Sequence, residues 1–238
     1  MAPRPRPYTV FLPGPLVKLD DNLWTITDMV PGIPGKSFPR TMHIIRLADG
    51  RLLFHNAIPV PDDTLAEIAK LGQPTYLFVP SPFHCIDAQG FADKLKLKVL
   101  CPAGVRSEVE SRVRIEGDER TLPADPTLRF EVIPGTRFGE GVLRVQSGPR
   151  LNLVVCDLFL NVPNLPGFWG WVWKLLGFTP GPVIGPAWLK RAIGDRAALR
   201  GYLEELAKDT SLSRIVVSHG PAIEAGFSSL FSMLAKSL

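Results

Sequence analysis

Four places in the chain set imidazole, thiol or carboxylate groups where an apolar run gives way to a loop. Residues 83–90 read FHCIDAQG and put His84, Cys85 and Asp87 within four positions. RLLFHNAI carries His55 near its end, LNLVVCD ends in Cys156 and Asp157, and RIVVSHG ends in His219 and a glycine. These side-chain types hold zinc or iron, and His with Asp also moves protons in general acid–base catalysis. Each residue also has a plainer role. Asp87 stands where a helix N-cap would accept a backbone N–H. Cys85, Cys101 and Cys156 suit a core as small apolar side chains. Asp157 and His219 can serve the turns that follow them, and His43, inside MHIIRL, reads as a hydrogen-bonded or surface residue.

The elements that must position these groups are legible in outline. LWTITDMV and MHIIRL are rich in β-branched and apolar residues and read as strands. Asp49-Gly50 is a hairpin turn signal, with RLLFHNAI as the return strand. PDDTLAEIAKLG reads as a helix with Asp62 and Asp63 as cap candidates, Leu65, Ile68 and Leu71 on one face, and Gly72 as its stop. TYLFVP and LKVLCP are strands around a short helix, AQGFADKLK. RFEVIPG, GVLRVQSG and LNLVVCD make the middle β-rich. DRAALRGYLEELAK is a helix, RIVVSHG a last buried strand, and a C-terminal helix follows. Strands and helices alternating around a β-rich middle predict a layered α/β domain.

Composition narrows the classes. The 238 residues are 45% hydrophobic and 21% charged, ordinary for a chain with a substantial core. The net charge of +4 arises from 27 basic and 23 acidic residues without a basic block, so nucleic acid is not the expected partner. The first residues, MAPRPRPYTVFLPGPL, lack the apolar run of a signal peptide and read as an extended, proline-rich arm over residues 1–22. Three cysteines in unrelated contexts favour free thiols and a reducing, cytoplasmic setting. Residues 162–190 form a Trp-rich insert, with Trp169, Trp171 and Trp173 spaced two apart. It is expected either to roof a pocket as a lid or to meet a membrane surface or protein partner.

The motif positions resemble the metallo-β-lactamase-like superfamily. Its His-x-His-x-Asp-His segment aligns with FHCIDAQG through Asp87 and Gly90. Its Pro-Gly-His-Thr aligns with PGTR at 134–137, its Gly-Asp with VVCDL at Asp157, and its late His-Gly with VVSHG at His219. The chain is also similar to a branch of that superfamily designated a domain of unknown function, with degenerate metal motifs, in RTMHIIRLADGRLLFHNAI and the final His-Gly. The resemblance implies an α/β (α+β) fold, a four-layer αββα sandwich, as a single domain over residues 23–238.

The departures bear on function. Phe83, Cys85, Ala88 and Thr136 stand where the fold's enzymes carry histidines, while Asp87, Asp157 and His219 keep the expected type. Two-metal hydrolysis needs two nearly complete ligand sets, so the usual dinuclear centre is not expected. Two readings follow. In one, the protein is a metal-free or rearranged pocket that binds an apolar small molecule or a partner, lined by Cys85, Trp169, Trp171 and Trp173. In the other, it is a hydrolase acting on an ester or thioester-like bond. That hydrolase would hold one zinc or iron ion on His55, His84, Asp157 and His219, with Asp87 as the base.

Overall fold

The computed structural model describes residues 6–29, 39–137, 140–164, 167–175, 179–184 and 193–238. The chain divides into two compact units: Met1–Met29 with Arg40–Arg129, and Val30–Pro39 with Phe130–Leu238.

The first unit is built on a six-stranded sheet in sequential order: β1 (Val17–Asp20), β2 (Leu23–Met29), β3 (Pro39–Arg46), β4 (Arg51–His55), β5 (Gln73–Phe78) and β6 (Lys98–Leu100). The hairpin signal at Asp49-Gly50 holds, with Gly50 at φ 84° between the antiparallel β3 and β4. From β4 to β6 the strands run parallel, and such pairs need crossover connections. Helices α1 (Asp62–Leu71) and α2 (Ala88–Leu95) lie in those crossovers, and α3 (Arg106–Glu110) follows β6. The cap of α1 differs from expectation. Pro61 is the N-cap and gives no side-chain bond, while Asp62 and Asp63 occupy the first turn, where a carboxylate favours the helix dipole.

Alternation along the strands sorts the side chains. Met42 and Ile44 of β3 and Leu52 and Phe54 of β4 join Ile68, Phe91 and Val105 in one core. Side chains alternate between sheet faces, so His43 and His55 belong to the opposite face. Register pairs them directly, and both are buried.

The proline-rich arm is bound along this unit. Tyr8 Oη donates to Val60 O at 2.6 Å and accepts from Val60 N at 3.0 Å. Gly90 matters here for space. A Cβ at that position would lie 2.6 Å from Tyr8 N and 2.9 Å from Arg6 O, so the arm can pass only over a glycine.

The second unit has a four-stranded sheet in the order β12-β9-β8-β7, from β7 (Leu128–Val132), β8 (Gly141–Ser147), β9 (Arg150–Val155) and β12 (Leu212–Val217). β9 runs antiparallel to β8 and parallel to β12. β10 (Leu160–Val162) and β11 (Gly181–Val183) form a separate ribbon. Helices α4 (Gly167–Leu175), α5 (Arg196–Leu206) and α6 (Phe227–Lys236) complete it. Leu153, Val155, Ile215 and Val217 of the sheet pack with Leu199, Leu203, Phe231 and Leu234 of α5 and α6. Fully burying one such side chain is worth about 1.5–3 kcal/mol. Asp195 caps α5, its Oδ1 accepting from the amides of Ala197 and Ala198.

Candidate functional site

In the second unit, strand register brings two of the candidates together. β12 and β9 are parallel with Val217 opposite Val155. Two residues beyond each strand end come His219 and Asp157, and His219 Nε2 lies 3.3 Å from Asp157 Oδ1. The last strand stops at Val217 rather than running to His219. Ser218 ties the two strand ends, its hydroxyl donating to Val155 O at 3.3 Å.

Backbone contacts fix the ring. His219 Nδ1 lies 2.8 Å from Pro39 O. The carbonyl can only accept, so Nδ1 carries the hydrogen and Nε2 is the nitrogen turned to Asp157. Asn161 N donates to His219 O at 3.0 Å. Gly220 is required next, because it sits at φ 116° and a Cβ there would lie 1.8 Å from Asn161 O. The carboxylate side is held by a residue that sequence reading missed. Glu140 Oε1 accepts from the amides of Asp157 and Leu158 at 3.0 and 2.8 Å, and Glu140 is buried. Its only sequence signal is a lone acid beside a glycine before an apolar strand. His219 and Asp157 side chains remain 14% and 17% exposed, so solvent reaches the pair.

In the first unit, Asp87 has a different employment from either expected one. It occupies the N-cap position of α2 but makes no side-chain cap bond. Arg6 grips it through Nε at 2.5 Å and a second nitrogen at 3.1 Å, Arg40 binds its other side, and Arg40 also reaches Asp28 at 3.0 Å. The carboxylate has no exposed surface. Two guanidiniums and two carboxylates thus form a buried, charge-balanced cluster.

The other candidates in this unit stand apart from that cluster. His55 Nδ1 lies 3.1 Å from His43 Nδ1, and its ring stacks on Phe78. His43 is therefore a buried partner of His55 and not a surface residue. His84 ends a single 3-10 turn that opens at Pro82, with Ser81 accepting from Phe83 N. Cys85 is fully buried within the apolar core, and burial pushes its thiol up to about 11 despite Arg112. A protonated thiol is a poor ligand. Burial likewise raises Cys101 to about 12.

The positions that replace histidines are accounted for locally. Phe83 is 65% exposed, and Ala88 is buried in the core. Thr136 donates to Ile133 O at 2.9 Å within its own turn. A polar cleft of about 390 Å3 beside α2, lined by Asp93, Lys96, Lys98, Arg114 and Glu116, contains none of the candidate residues. In the Trp-rich insert, Trp171 is exposed on α4, and the side chains of Trp169 and Trp173 lie outside the described residues.

No protein-family model matches the sequence, and no curated protein matches it. Solved structures do. The chain is similar to the metallo-β-lactamase FIM-1 from Pseudomonas aeruginosa in a mono-zinc form, with 14% identity, 99% of this chain and 97% of that one covered, and a TM-score of 0.60. It is similar to the metallo-β-lactamase from Pontibacter korlensis at 13% identity, covering 94% and 99%, with a TM-score of 0.60. For DIM-1 metallo-β-lactamase exposed to ceftazidime the values are 10% identity, 100% and 99%, and 0.64. The chain therefore has a mixed α/β fold of the metallo-β-lactamase type, as its motif order implied.

Proposed function

We propose that the protein lacks the usual two-metal centre of this fold. In its place, His219 and Asp157 form a one-cation centre for hydrolase-like chemistry on an ester or thioester-like bond. One observation carries this reading. The His219 ring is set between a carbonyl at Nδ1 and a carboxylate at Nε2, and both groups are acceptors. A lone pair facing a carboxylate at 3.3 Å is repulsive unless a positive charge is shared between them.

The donor set supports one ion better than two. Asp87 is claimed by Arg6 and Arg40, Ala88 and Phe83 offer no donor, and Thr136 is committed to its turn. His219 and Asp157 would hold a single zinc or iron ion. Their 3.3 Å separation is near the ~3.4 Å edge of a tetrahedron with bonds of ~2.1 Å. An N–H from the far ring nitrogen to a carbonyl is the common way a ligating histidine is oriented. When bound, such an ion supplies Lewis acidity and a more acidic water. The chain's own residues do the remaining work. Pro39 O selects the tautomer of His219 that leaves Nε2 free to ligate, and Glu140 holds the loop of Asp157.

A second reading is favoured by the guanidinium cover on Asp87 and the protonated, buried Cys85. It is a metal-free pocket, in the manner of the degenerate branch, that binds an apolar small molecule or partner. Three buried thiols without a disulfide support a reducing, cytoplasmic setting. Metal analysis of untagged protein, grown with zinc and iron and purified without chelator, separates the readings. About one ion per chain in the native protein and none in His219→Ala supports the one-cation centre. No ion in either supports the metal-free pocket. Parallel His55→Ala and His84→Ala variants test whether either imidazole completes the ligand set.

A further inference from the structure

We propose that α4 is a docking surface for anionic lipid membranes. The helix reads GFWGWVWKL, and Phe168, Trp171 and Leu175 follow one another at spacings of three and four. At about 100° per residue these three fall within an arc of about 60°, one narrow stripe. Phe168 is 68%, Trp171 57% and Leu175 67% exposed, whereas Gly170 on the other side is buried. The rings of Phe168 and Trp171 lie 6.0 Å apart. A continuous stripe of large apolar side chains left in water marks an interaction surface.

Charge selects the occupant. From residue 158 to 194 the chain has no Asp or Glu, but it has Lys174, Lys190 and Arg191. Lys174 is exposed at the edge of the stripe, beside Trp171. A short helix with Phe, Trp and Leu on its outer face and lysine at the flank suits shallow insertion at an anionic headgroup layer. There the rings sit about 5–10 Å deep and the ammonium stays with the phosphates. No helix among the described residues is long and apolar enough to cross a membrane, so the contact is with the surface. A protein partner would need a broader complementary face than three side chains on a nine-residue helix.

The test uses the full chain with sucrose-loaded vesicles of phosphatidylcholine alone or with a quarter phosphatidylglycerol. Sedimentation should show binding to the anionic vesicles, with a blue shift of tryptophan emission. Binding should weaken at high salt, because exposed charges are screened. The double variant F168S/W171S should lose about tenfold or more of that partitioning, and K174E several-fold, with unchanged near-ultraviolet circular dichroism. Equal binding by the double variant overturns the proposal, as does no binding to anionic vesicles. A dimer of the native chain that the double variant disperses, without vesicle binding, would assign the stripe to a second copy instead.

Discussion

The two units treat the acidic residues at their motif positions in opposite ways. In the first, Asp87 is sealed: two guanidiniums hold both oxygens and no surface remains. In the second, Asp157 is left partly open to solvent, its loop pinned from behind by Glu140 and its carboxylate 3.3 Å from the His219 ring. A carboxylate enclosed by cations contributes to structure and has no capacity left for a ligand. One that faces an imidazole at a partly solvated loop is placed to meet a ligand. The fold thus holds an acid of each kind, and the residue type at the motif position does not tell which is which. Removing one member of each group tests the contrast.

The largest effect is expected at the sealed cluster. Arg40→Met leaves Asp28 and the Arg40 side of Asp87 without their cation in a buried setting. Breaking one side of a buried ion pair costs about 3–5 kcal/mol, and urea denaturation should show a loss of that order. Arg6→Ala should cost less, because Arg6 is partly exposed. A loss under about 1 kcal/mol for Arg40→Met would mean that water reaches Asp87 and that the carboxylate is still available for chemistry.

Glu140 comes next. Glu140→Ala leaves the amides of Asp157 and Leu158 without their acceptor, at about 1–3 kcal/mol each when a buried donor goes unmet. We expect a loss of about 2–3 kcal/mol in stability and a weaker metal or ligand affinity. Glu140→Gln should recover most of both, since its amide oxygen can still accept. Recovery of stability without recovery of affinity would show that the negative charge of Glu140, and not its geometry, serves the pair.

The thiols give a smaller effect with a definite pH window. Burial raises Cys85 from 9.0 to about 11. Above pH 9 the unfolded chain releases this proton while the folded chain keeps it, so unfolding becomes more favourable as pH rises from 9 to about 11. The contribution of Cys85 should be on the order of 1–2 kcal/mol, so Cys85→Ala should make the decline shallower and leave the part that Cys101 contributes. Iodoacetamide at pH 8 should label Cys85 only as fast as the protein unfolds. Fast labelling in the native state would restore the thiolate as a candidate ligand.

Most of the frame was legible in the sequence. The strands around Asp49-Gly50, the helix before β5 and the helix α5 follow from alternation, helical periodicity and turn chemistry acting over a few residues. The site was legible only in part. His219 and Asp157 stood out because each follows a buried strand, and parallel register then sets them side by side. The role of Asp87 was hidden because its partners Arg6 and Arg40 lie 81 and 47 positions away, and no local pattern announces a long-range ion pair. Glu140 was missed for the same reason; for His43 the hydrogen-bonded reading held and the surface one did not, because a histidine inside a strand does not reveal which face its strand buries. In the Trp-rich insert, glycines and prolines masked a helix whose exposed face only the structure displays.

The smallest change in stability is expected for His219→Ala, and it is the most telling of the set. His219 is partly exposed, and among its ring's interactions are a hydrogen bond to Pro39 O and an approach to Asp157. Losing a single partly solvated hydrogen bond costs about 0.5–1.5 kcal/mol, and the loop keeps its shape because Asn161 and Gly220 fix the backbone independently of the ring. The fold should therefore persist, with a melting temperature lowered by a few degrees at most. What should vanish is zinc or iron uptake, measured by titration calorimetry against the native chain. His219→Gln makes the outcome specific: its amide can still donate to Pro39 O but places no basic nitrogen before Asp157. If Gln restores stability but not uptake, the pair is a centre for a cation. If Ala unfolds the protein and Gln rescues everything, His219 is only a strut, and the contrast between the sealed and the open carboxylate disappears.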